Sequence, residues 1–182
     1  RSIQSFDSRY DDGRAQVNNN NQNITNISAL ENQGKQLFMT PPNQGGAGCN
    51  GCHRAPEFDI DPISRYNCVV WVAGETGVID VTITRSPTLR DMVDPNGVLN
   101  GPLMHDGSLM TLAAVIEHYN DLEVVQGNNN LAPRLRGVPG PGGGQGQQLN
   151  LTDDEKTAIV AFMGTLTGSN VYTDERWSNP FQ

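Results

Sequence analysis

The chain is poor in cysteine, in basic side chains and in long apolar runs, and each shortage removes a class of function. Lysine and arginine number 12 against 20 aspartate and glutamate, a net charge of −8. That balance argues against nucleic acid and against anionic membrane surfaces; it suits a partner with a basic docking patch, as redox proteins often have. No apolar stretch approaches the roughly 20 residues that cross a bilayer, so no membrane span is expected. No signal peptide is recognisable, and the chain opens at Arg1 rather than methionine, so it reads as a processed or excised piece. Apolar residues make up 36 %, with 20 glycines and 11 prolines, which predicts one domain with a large share of loop.

Against that background one motif stands out: Cys49-Asn50-Gly51-Cys52-His53, the C-x-x-C-H attachment signature of a c-type haem. Thiols at this spacing add across the two vinyl groups of one porphyrin edge, and the following imidazole becomes the proximal iron ligand. The competing readings are weaker. A zinc site wants a second ligand pair, and only Cys68 and two further histidines remain. A thioredoxin-like dithiol wants a βαβ setting, whereas Gly45, Gly46 and Gly48 indicate loop. A haem also supplies apolar surface on which a loop-rich chain can fold. Its covalent attachment implies export, to a periplasm or a similar compartment. Cys68 is left over, most simply as a small buried hydrophobe.

Three helices follow from capping and periodicity. The first spans about 28–38, with Gly34 allowing another backbone to approach and Pro41-Pro42 stopping it. In the second, about 111–119, Leu112, Val115, Ile116 and Tyr119 share a face. Thr152 and Glu155 form a capping box opening the third, through about Leu166 with Gly168 as its stop; Ile159, Val160, Phe162 and Met163 supply its buried face. Residues 1–25, ending in the polar tract 18–23, read as a mobile linker or N-terminal extension with Ile3, Phe6 and Tyr10 as docking points. Short strands are expected at 69–72 and 78–83, a flexible loop at 137–148, and a surface tail over 169–182. One helix before the haem motif crossing another at the end is the arrangement of a mainly α, cytochrome c-like domain, here residues 26–168 with long irregular loops.

An electron carrier needs a second axial ligand; a peroxidase or gas binder needs an open position. Met39, Met92, Met104, Met110, Met163, His105 and His118 are the candidates. Met163 fits core packing, Met110 and His118 fit roles on the second helix or its entry, and Met39 lies too near the haem cysteines to reach the far face. Met104 stands apart in Pro102-Leu103-Met104-His105-Asp106-Gly107-Ser108, a turn-rich segment just before a helix, able to present a thioether end-on. Spacing alone leaves the choice open.

Several segments together resemble a known family. Gly34, Leu37 and Phe38, then Ser86-Pro87-Thr88-Leu89-Arg90, Met104-His105-Asp106-Gly107-Ser108, Thr111-Leu112 and His118-Tyr119-Asn120 are similar, in order, to the C-terminal haem domain of bacterial di-haem cytochrome c peroxidases. The wider family includes the enzymes that mature methylamine dehydrogenase. Arg1 to Ser5 and Tyr10-Asp11 resemble the segment that leaves the family's N-terminal haem domain. The resemblance implies one covalently bound haem c with His53 as proximal and Met104 as distal ligand of the high-potential haem, where the maturation enzymes carry tyrosine. It also implies electrons taken from a small redox protein and passed to a second haem domain. A calcium ion lies between the domains in the family, partly on backbone carbonyls near Ser86-Pro87, a site that one domain does not complete.

The departures shape the expected function. There is no second C-x-x-C-H in these 182 residues, and the family's acid–base groups for O–O cleavage have no counterpart. Electron transfer through a His/Met-ligated haem is therefore expected of this chain by itself. The alternative is a peroxidase or oxidase acting alone through a labile or open sixth position. Arg90 is a candidate partner for a haem propionate. His105 is a candidate to bond a propionate or the loop backbone and so hold Met104. The plainer readings are a solvated arginine and a loop histidine. Asp106 and Gly107 shape the turn.

Overall fold

The computed structural model describes residues 4–59, 86–104, 107–123, 131–137 and 146–178. The expected strands at 69–72 and 78–83, Cys68 and His105 lie outside these. Five α-helices occur among the described residues: α1 (Arg9–Arg14), α2 (Ala29–Met39), α3 (Leu112–Asn120), α4 (Asp153–Gly164) and α5 (Asn170–Thr173). Extended pairing there is confined to isolated bridges such as Leu103 with Leu109 and Asp121 with Gln148.

The main helices begin where their caps require. Ser28 caps α2 and Thr152 caps α4. In each the hydroxyl accepts the N3 amide, and the N3 glutamate, Glu31 or Glu155, accepts the cap amide. The two helices then cross at Gly34. A Cβ there would stand 1.8 Å from the Ala158 carbonyl oxygen, so only glycine permits this approach. Helix α3 buries Leu112 and Ile116, with Val115 partly covered, as its periodicity predicts. Helix α4 ends at Gly164, short of the expected Leu166, where the Thr165 and Leu166 amides tighten to bonds three residues back, onto the Phe162 and Met163 carbonyls. Gly168 serves close approach rather than termination: a Cβ there would lie 2.2 Å from Asp7 Oδ1.

At the centre, Tyr10, Phe38, Phe58 and Phe162 meet edge to face with ring centroids 5.0–6.1 Å apart. Each is buried to 1 % exposure or less, and each such ring contributes about 1.5–3 kcal/mol by leaving water. Met163 is buried in the same core, in keeping with a packing role.

The polar N-terminal segment departs from the linker expectation. It carries α1 and sends Tyr10 into the core, and its asparagine tract is tied down from two sides. The ammonium of the buried Lys35 donates to the carbonyls of Asn20 and Gln22, while Tyr10 Oη and Arg14 Nε donate to Asn20 Oδ1. Asn32 Oδ1 accepts from the Ile24 amide, and its Nδ2 donates to the Ile24 carbonyl. Low hydrophobicity signals disorder only when polar groups lack partners inside the fold; here the partners come from α2. Of the docking points, Phe6 is 56 % exposed and Ile3 lies outside the described residues. In the C-terminal segment, Tyr172 and Trp177 are exposed.

Candidate functional site

The C-x-x-C-H residues fold as a 3₁₀ turn, Cys49–Gly51, entered through Gly48 in the left-handed conformation (φ +67°). This turn forms one wall of a cavity of about 440 Å³, whose lining includes Met39, Ala47, Cys49, Cys52, His53 and Leu135. That volume falls within the range of small-molecule and cofactor sites. Cys49 and Cys52 are not disulfide-bonded. Burial pushes the Cys49 thiol up to about 12, the opposite of the lowered thiol that a redox dithiol uses.

His53 is the best-determined group in the site. Its Nδ1 lies 3.0 Å from the Pro87 carbonyl oxygen and 3.2 Å from that of Phe58. Both atoms only accept, so Nδ1 carries the proton and Nε2 keeps its lone pair, the tautomer a metal-ligating histidine needs. Burial lowers the pKa of His53 despite the two carbonyls, which keeps the ring neutral near pH 7. Phe58 presents its carbonyl from a left-handed backbone, φ +54°. That conformation costs a non-glycine residue of order 1–3 kcal/mol. It is held by the Phe58 amide bonding to the Arg54 carbonyl, the Leu89 amide bonding to the Phe58 carbonyl, and a fully buried ring. Nothing in the local sequence marks Phe58 for this role; the signal exists only in the fold.

Met104 is not among the residues lining the cavity and meets it only through shared neighbours. Its loop is closed by the Leu103–Leu109 bridge, whose shorter hydrogen bond is 2.7 Å. Its own backbone is left-handed, φ +69°. The side chain, half-buried, packs with Tyr119 against Leu122, Leu131, Ala132 and Leu135, and both Tyr119 and Leu135 line the cavity. Met39 lines the cavity, Met92 packs on the main core and Met110 is 65 % exposed. His118 stacks edge-on with Tyr119 at 5.3 Å.

The propionate role expected of Arg90 is replaced by a different one. Its side chain is fully buried, and its guanidinium forks onto Asp11, with Nη2 to Oδ1 at 2.6 Å and Nη1 to Oδ2 at 2.8 Å. Nε donates to the Pro56 carbonyl and Nη1 also to that of Ser5. The physical reason is the N-terminal segment, which brings a carboxylate to it. The cations on the cavity wall are instead Arg54 and Arg134, and Arg134 donates to the Gly51 carbonyl at 2.6 Å. Sequence reasoning passed over Arg134, because a lone arginine beside a glycine-rich tract carries no local signal. Gln147, buried beside it on the wall, donates from Nε2 to the Tyr119 carbonyl. Of the backbone carbonyls near Ser86-Pro87, that of Pro87 faces His53. No three His, Cys, Asp or Glu side chains converge as a metal cage among the described residues.

The donor set therefore fits a haem c: two thiols and an imidazole with Nδ1 fixed, beside a mostly apolar cavity. The fold is that of a mainly α, cytochrome c-like domain. Two methylamine utilization proteins named MauG are similar to this chain. That of Methylophilus methylotrophus is 25 % identical over 146 residues, 77 % of this chain and 38 % of its own. That of Methylorubrum extorquens is 29 % identical over 147 residues, 77 % of this chain and 35 % of its own. A solved MauG-like protein associated with microbial copper homeostasis superposes with a TM-score of 0.60 at 25 % identity, over 98 % of this chain and 57 % of that one. No protein-family profile matches. The similarity is weak homology. It supports the wider family named by the sequence resemblance without singling out its C-terminal domain, and the chain spans little more than a third of the curated relatives it matches.

Proposed function

We propose that this chain is an electron-transfer c-type cytochrome domain, corresponding to the electron-accepting half of a di-haem peroxidase-like protein. The single observation that carries the reading is the cavity built against Cys49–His53 with His53 Nδ1 bonded to two carbonyls, leaving Nε2 for a ligand. Cys49 and Cys52 would hold one haem by thioethers, His53 would be its proximal ligand and Met104 its second. A bound haem supplies one-electron chemistry. The chain's own residues do the rest. The Pro87 and Phe58 carbonyls hold the imidazole ring in one orientation, and the apolar wall excludes water. The left-handed Met104 sits on a loop closed by its bridge, which restrains where its backbone lies. Export to a periplasm, a small redox protein as donor or acceptor, and a second haem domain as partner belong to the same reading.

The test is production of the chain in cells with haem-attachment machinery. The expected product gains the mass of one haem, gives a sharp low-spin spectrum on reduction, and shows a near-infrared band of methionine–iron ligation when oxidised. A high-spin ferric spectrum at neutral pH, or rapid peroxide turnover by the isolated chain, would overturn the carrier reading.

A further inference from the structure

The buried ion pair between Asp11 and Arg90 lies far from the cysteines in sequence, yet its contacts end at the site. Arg90 Nε bonds to the Pro56 carbonyl, and the Leu89 amide bonds to the Phe58 carbonyl. The Thr88 hydroxyl donates to the Glu57 carbonyl and accepts from the Arg90 amide. Three successive residues of one turn, 56–58, are thus fastened to three successive residues of another segment, 88–90. The two carbonyls that accept from His53 Nδ1 belong to these partners: Phe58 ends the first, and Pro87 immediately precedes the second. The guanidinium also lies 4.3 Å from the Phe6 ring centroid and 5.7 Å from that of Phe58. Its charge is answered from outside both segments, by a carboxylate that Ser8 holds through its hydroxyl and amide.

We propose, resting on the reading of His53 as the proximal ligand, that Asp11 and Arg90 are positioning residues. Through them the N-terminal segment sets the spacing of the Phe58 and Pro87 carbonyls, and so the strength of the Nδ1–H bond that orients His53. Neither residue touches the cavity. A planar fork is required, because Arg90 must span Asp11, Ser5 and Pro56 at once; a lysine carries the charge without the fork.

The experiment compares wild type with Arg90→Gln, Arg90→Lys and the near-isosteric Asp11→Asn, in haem-loaded and haem-free protein, by nitrogen-15 histidine NMR. Circular dichroism and haem content serve as controls for folding. Exchange of the His53 Nδ1 proton with solvent is expected to accelerate at least tenfold in all three variants. In the loaded forms the iron–histidine stretching band should broaden and fall in frequency, with low-spin character kept. Arg90→Lys matching wild type would overturn the proposal in favour of charge alone. Unchanged exchange in folded Asp11→Asn would overturn it outright, including where the Arg90 variants fail to fold. The haem-free measurement keeps the two readings apart: a chain that takes up no haem sinks the proposed function, while the exchange data still decide the positioning.

Discussion

His53 sits in a braced surround. Its Nδ1 meets two carbonyls, one of them on a residue buried in a four-ring aromatic core, and the segments carrying both are cross-tied by Thr88, Leu89 and Arg90. Met104 is held by less: one bridge across its loop and a satellite cluster of four buried residues. The difference teaches that the two candidate ligand residues are supported unequally. The His53 side is part of the main core and cannot loosen without the fold, whereas the Met104 side is a local assembly that can be retuned by itself.

The sharpest way to break that comparison is to truncate one residue on each side. Phe58→Ala should cost about 3–5 kcal/mol, since it opens a cavity in the aromatic core and still demands a positive φ. Leu131→Ala in the satellite should cost about 2–3 kcal/mol. Denaturant unfolding measures both, and equal losses would mean the two clusters are one core. Met104→Ala should leave stability nearly intact while lowering the midpoint potential by on the order of 100 mV. An unchanged optical spectrum would place the second ligand elsewhere.

Smaller effects sharpen the same contrast. Gly34→Ala should destabilise by about 1–3 kcal/mol, because its methyl meets the Ala158 carbonyl at the helix crossing. Gly164→Ala, with nothing within 4 Å of the new carbon, should stabilise by about 0.5–1 kcal/mol. The pair, measured by thermal melting, separates close approach from helix propensity. Burial alone would raise the pKa of Asp11, but the bonds from Arg90 and Ser8 outweigh it and hold the carboxyl below its ordinary 3.8. Its contribution to stability is thus complete above that value and lost as pH falls through the lower folded one. Asp11→Asn should abolish that part of the acid dependence, as an acid titration of the unfolding free energy would show.

What was legible beforehand was what local chemistry dictates. The Thr152–Glu155 capping box, the apolar face of α3 and the need for glycine at 34 follow from spacing and side-chain type, because each acts within a few residues or on one helix face. The fate of the polar N-terminal tract was not legible. Its carbonyls and amides are satisfied by Lys35 and Asn32 on α2, which no local pattern announces. Arg90 was read as a propionate partner for the same reason, since the carboxylate that claims it stands 79 positions away.

The sequence by itself determined the Cys49, Cys52 and His53 spacing on which the proposed haem attachment rests, because that spacing is fixed by the covalent chain. Only the tertiary structure decided which carbonyls orient that imidazole, which cations reach the cavity wall, and what answers the charge of Arg90. Those are contacts between distant segments, and their energies depend on burial and on partners that a linear reading does not contain.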